Sequence, residues 1–115
     1  MRDMTEIRER YLRDGLPIRL GGIAANLARM KSFSAFPKAS EAVEGLIEES
    51  KLFIEWAAPE AELETQVELV RLQLQLAIWQ ASWNEVWDDP ESRQSLSASA
   101  DKWSQRLLDI SGLLA

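Results

Sequence analysis

A chain of 115 residues with 46% apolar and 28% charged side chains fits one soluble domain around a single core. It has no Cys and no His, which excludes disulfides, thiolate metal sites and a Cys nucleophile, and removes the commonest general base. A net charge of −6 argues against a nucleic-acid partner, and no run approaches the roughly 18 apolar residues of a membrane span.

The charged opening residues lack the apolar stretch of a secretory signal, so the expected compartment is the cytoplasm. Charge is unevenly placed: residues 1–38 carry a net +4 and the remainder −10. Basic and acidic helices lying side by side on a solvated surface account for this, with a basic patch for an acidic partner as the sharper alternative.

Residues 3–14 read as a short helix, with Asp3 as cap, Glu6 three residues later, and Met4, Ile7 and Tyr11 on one face. Gly15 suits the end of that helix and Pro17 the start of the next, which runs to about Lys31 with Leu20, Ile23, Leu27 and Met30 in phase. Its LGGIAANLA segment carries two glycines at roughly 1 kcal/mol each. A return on that cost is expected as a kink or a tight helix crossing, with Gly21, Ala24, Ala25 and Ala28 admitting a neighbour. A backbone-lined ligand notch is the alternative. Neither GxxxxGK[ST] nor GxGxxG is present, so a phosphate loop is not indicated. Phe33 and Phe36, in the connection that follows, are expected to fold back onto the bundle.

A third helix over about 39–57 buries Val43, Leu46, Ile47, Phe53, Ile54 and Ala57, with Glu41, Glu44, Glu48 and Glu55 towards the other side. Pro59 disfavours the helical region for Ala58 and predicts a sharp corner. From Pro59 the chain runs to Trp87 without Gly or a further Pro, predicting one long central helix of roughly 43 Å. The RLQLQL alternation inside it is strand-like, but Leu and Gln favour helix and the segment is far too long for a strand. Asp89 and Pro90 then open a last helix, whose Leu96, Ala100, Trp103, Leu107, Ile110 and Leu114 form a seam ending near Gly112.

The central helix has two apolar stripes on opposite sides. At about 100° per residue, Leu63, Val67, Val70, Leu74, Ala77 and Ala81 share one direction. Leu69, Leu72, Leu76, Trp79, Trp83 and Val86 share the other, with Trp87 at its margin. A peripheral helix needs only one stripe, so burial on both sides is expected. Either the chain's own helices lie on both sides, or one face packs internally and the other meets a second subunit. The alanine-containing stripe suits a close crossing within the chain. The Leu/Trp stripe is therefore the expected interface of a homodimer, or the docking face for a helix of another protein.

Without His or Cys, chemistry would fall to carboxylates. Glu41-x-x-Glu44 and Glu85-x-x-Asp88 resemble the ExxE…ExxD signature of the all-α MazG-like nucleotide pyrophosphohydrolases. That resemblance implies Mg²⁺ held between facing helices for attack on a nucleoside triphosphate. The gap between the pairs is longer than that family's, and Glu41 and Glu44 point away from their helix's apolar face. A ferritin-like di-iron site is excluded with His. The Trp79, Trp83 and Trp87 ladder suits core or interface, with a planar ligand as the alternative. Over the whole chain, RLGGIAANLARM, EESKLFIEWAA and KWSQRLLDISGLL resemble segments of a small family of uncharacterised cyanobacterial all-α proteins, which implies no activity, cofactor or site.

The expectation is one all-α domain over residues 1–115, an antiparallel bundle of four main helices plus a short N-terminal one. Its expected role is a cytoplasmic, non-enzymatic, self-associating module with no cofactor, catalytic residue or metal site, and no nucleic-acid or membrane partner. Mg²⁺-dependent nucleotide hydrolysis through Glu41, Glu44, Glu85 and Asp88 is the alternative.

Overall fold

The computed structural model describes residues 3–113, which form six α-helices and no strand. These are α1 (Met4–Leu12), α2 (Leu16–Phe33), α3 (Ser40–Ala57), α4 (Leu63–Ala81), α5 (Trp83–Asp88) and α6 (Pro90–Ser111). Short 3₁₀ turns at Pro37–Ala39 and Ala58–Glu60 bracket α3.

Local chemistry explains most of the ends. Asp3 caps α1 by accepting from Thr5 N–H at 3.0 Å, and Asp89 caps α6 by accepting from Ser92 N–H at 3.1 Å, with Pro90 at the first position. Gly112 closes α6 in the left-handed region at φ 79°, where a side chain would be strained.

Two ends depart from the sequence pattern. Ala58 keeps helical angles although Pro59 follows it. The corner comes later, where Ala61 and Glu62 are extended, so α4 begins at Leu63 and not at Pro59. The expected single helix over 59–87 is also interrupted at Ser82, with φ −120° and ψ 36°, which separates α5 from α4. The reason is tertiary. Trp83 donates its indole N–H to Ser40 Oγ at 3.0 Å, and Trp87 donates to Pro37 O at 2.7 Å. Both indoles are thereby pulled onto the turn before α3, stacked on each other at 5.3 Å.

The helix at the centre of the body is α2, which packs most extensively on α6 and next on α3. Ala24 is enclosed, and its carbonyl accepts from Ser104 Oγ at 2.8 Å; Ala100 opposite is also enclosed. A Cβ on Gly21 would lie 2.6 Å from Leu113 Cδ1. Ala24 therefore serves the tight crossing that LGGIAANLA predicted, α6 answers with Ala100 and Ser104, and Gly21 leaves room for the Leu113 side chain beyond the end of α6. Ala25 and Ala28 are exposed and take no part in it. Lys31 reaches Asp101 at 3.3 Å further along the same crossing.

The seam of α6 holds: Leu96, Ala100 and Leu107 are buried and Trp103 and Ile110 half-buried, while Leu114 lies outside the described residues. Phe33 and Phe36 do not fold back; Phe36 is 63% exposed, and Ser34 between them is the buried residue, bonded to Met30 O. Helix α1 lies on α3 through Tyr11, whose ring stacks on Phe53 at 4.0 Å.

Tyr11 also donates its hydroxyl to Arg19 O at 2.8 Å. The buried Arg19 side chain bonds Asp14 O through Nε at 3.0 Å and Glu60 through Nη1 at 2.5 Å, tying the α1–α2 turn to the corner before α4. Burial pushes the Tyr11 phenol well above its ordinary range. The folded chain therefore holds that proton more tightly than the unfolded chain. The stability this provides is complete below the unfolded value of about 10 and is lost as pH rises towards the folded value. In alkaline melts, Tyr11→Phe is expected to flatten the fall in Tm above that pH.

Gly45, in mid-α3, is exposed, and nothing lies within 4 Å of an added Cβ. Gly45→Ala is expected to stabilise the fold by about 0.5–1 kcal/mol in denaturant titration, through the backbone freedom lost from the unfolded chain.

Candidate functional site

The body measures 37 × 34 × 21 Å, so it is two helices thick, and a helix in either layer keeps an outer side. On α4 the inner side is formed by Leu69, Leu72 and Leu76, which are fully enclosed, and by Trp79; Trp83 and Trp87 continue it on α5. These residues join one core with Ile23, Leu27 and Met30 of α2, Val43 and Ile47 of α3, and Leu96 and Leu107 of α6.

The expected interface residues Leu69, Leu72, Leu76, Trp79 and Trp83 are thus covered by the chain's own helices, and Val86 is half-buried against the same core. Size explains the assignment. The glycine, alanine and serine positions are consumed where α2 and α6 approach closely, and the wider space beyond that crossing takes the large side chains. The indole N–H groups of Trp83 and Trp87 find acceptors inside the chain, and all three rings of the Trp ladder are buried in the core.

The stripe left open is the other one. Leu63 is 74% exposed, Val67 44%, Val70 64%, Leu74 62% and Ile78 54%. The first four sit at 4-3-4 spacing within about 60° of one direction, and Ile78 borders them on one side. The periodicity pointed to four of these residues but assigned them to the interior; Ile78 lay between the stripes and was missed.

Clefts run along both sides of this ridge. One, of about 450 Å³, lies against α3 and is lined by Ile54, Ala58, Val70, Gln73, Leu74 and Ala77, with Glu55 at its edge. The other, of about 540 Å³, lies against α6 and includes Glu64, Val67, Glu68, Arg106 and Ile110. Within it Arg106 binds Glu68 at 2.5 Å, and this hydrogen bond holds the Glu68 carboxyl below its usual range. Arg71 lies further from the same carboxylate, at 3.8 Å, with most of its side chain in solvent.

The four carboxylates of the MazG-like pattern are only partly brought together. Glu44 and Glu85 line one polar cleft of about 460 Å³ with Ser40, Gln80 and Asn84, whereas Glu41 and Asp88 are exposed and do not line it. Among the described residues, no three acidic side chains gather into a group that could hold a metal ion. Among them, too, no helix is long and apolar enough to cross a membrane. Comparison with protein-family models, curated proteins and solved structures returns no match to this chain.

Proposed function

We propose that this chain is a cytoplasmic, non-enzymatic interaction module that self-associates as a homodimer through the outer face of α4. The observation that carries the reading is the contiguous row Leu63, Val67, Val70, Leu74 and Ile78, left in solvent on a helix whose opposite side is fully packed. Scattered surface aliphatics need no explanation, but a continuous helical row flanked by clefts is the pattern of a protein-binding face.

A second copy is the occupant that fits. The row offers on the order of 500 Å² of apolar surface per copy, so two copies reach about 1,000 Å², the lower bound of a specific interface. The row is edged by polar side chains, Gln66 and Gln73 on one flank and Glu64 and Arg71 on the other, the polar rim such a contact needs.

Sedimentation equilibrium tests this directly. A dimer with Kd on the order of micromolar is expected. Val70→Asp should weaken it at least ~100-fold by burying an unpaired carboxylate, while leaving the melting curve of the monomer within about 0.5 kcal/mol of the parent. A parent chain that stays monomeric throughout the micromolar range would overturn the reading. Magnesium addition separates the hydrolase alternative: a carboxylate cage would raise Tm, and no rise is expected.

A further inference from the structure

The open row on α4 has a symmetry of its own. Leu63, Val67, Val70 and Leu74 read Leu-x₃-Val-x₂-Val-x₃-Leu, which is the same in both directions along the helix. Laid antiparallel against a copy of itself, this row matches Leu63 with Leu74 of the partner subunit and Val67 with Val70 of the partner subunit, and then repeats both layers beyond a two-fold axis. The charges along its edge complement that arrangement. At about 100° per residue, Glu64 and Arg71 lie on one flank of the row, and Gln66 and Gln73 on the other.

In an antiparallel helix pair like flanks face each other, so the flank bearing Glu64 and Arg71 meets its own copy. In a parallel pair opposite flanks face, and Glu64 and Arg71 would meet glutamines. A parallel pair would also bring together the two acidic starts of α4, with Glu60, Glu62 and Glu64 from each copy, and would align the helix dipoles. Arg71 is equipped for an outside partner. Its neighbour Glu68 is 3.8 Å away and already bonded to Arg106 at 2.5 Å, and its side chain is 68% exposed.

We propose that two copies dock with their α4 helices antiparallel across a dyad between Val67 and Val70, and that Glu64 of each copy pairs with Arg71 of the partner subunit. The inference rests on the self-association proposed above and adds its orientation, register and ion pairs.

Because the chain has no Cys, single cysteines report this geometry without background. Leu63→Cys and Leu74→Cys are both at exposed positions, so each variant should keep the parent's circular dichroism and melting curve. Oxidised separately, neither should form a disulfide-linked dimer; mixed, they should form the heterodimer, because residues 63 and 74 face each other only in the antiparallel register. Cross-linking of each variant alone would overturn the antiparallel arrangement. So would equal cross-linking in all three samples, which would signal random collision.

Charge reversal gives a second readout. Glu64→Arg and Arg71→Glu should each raise the dimer Kd by ~10-fold, and the double variant should return it to within ~3-fold of the parent. Failure of the double variant to recover, with both single variants weakened, would overturn the ion pairs. Sedimentation of the unmodified parent is run first. A monomer there overturns self-association itself, whereas a dimer with the wrong cross-links overturns only its orientation.

Discussion

Replacing Leu72 by Ala is expected to lower the free energy of unfolding by roughly 2–5 kcal/mol, whereas Leu74→Ala should change it by no more than about 0.5 kcal/mol. The two leucines are two positions apart on one helix and are chemically identical. Leu72 is fully enclosed in the core between α2, α3 and α6, so truncation leaves a cavity that the packed neighbours cannot close. Leu74 stands on the open side at 62% exposure, where water replaces what is removed. Denaturant titration below the Kd of the proposed dimer isolates this difference, since at high concentration Leu74→Ala would also weaken that proposed contact. A large loss at Leu74 with little at Leu72 would mean that the faces of α4 are oriented the other way.

The second large effect is expected at the α2–α6 crossing. Ala24→Leu places three extra carbons in an enclosed site whose carbonyl receives the Ser104 hydroxyl at 2.8 Å. Overpacking alone costs roughly 1–3 kcal/mol, and separating the helices also loses a buried hydrogen bond of about 1 kcal/mol. A loss of ~2–4 kcal/mol in denaturant titration is therefore expected, even though leucine is an excellent helix former and a larger hydrophobe. Ala25→Leu, one residue on and exposed, serves as the control and should be close to neutral.

These paired substitutions mark where sequence reading reached and where it stopped. Caps were legible because they are local: Asp3, Asp89 and Gly112 act on backbone within three residues of themselves. The two apolar sides of α4 were legible because periodicity reports direction around a helix. Periodicity has no sign, however, and cannot say which side faces in. The sign comes from steric complementarity among helices distant in sequence, since the small residues Ala24, Ala100 and Ser104 are taken up by the α2–α6 crossing. The break at Ser82 was invisible for a related reason. No Gly or Pro announces it, and it follows from indole hydrogen bonds to residues about 45 positions earlier. The carboxylate pattern was legible only in part because ExxE spacing describes one helix at a time. Only the packing of α3 against the α4–α5 junction brings Glu44 and Glu85 to one cleft and leaves Glu41 and Asp88 outside it.

The crossing of α2 with α6 also sets an order in time. Ser104 and Ala24 are 80 residues apart, so the helix at the heart of the body meets its main partner only when the last quarter of the chain has left the ribosome. Until then α2 can rest on α3, but its Gly21–Ala24 side has nothing to close on. A chain stopped before Pro90 would carry that side of α2 bare in addition to the outer row of α4. Arrival of α6 is therefore the step that closes the buried side of α2 and leaves the outer row of α4 in solvent.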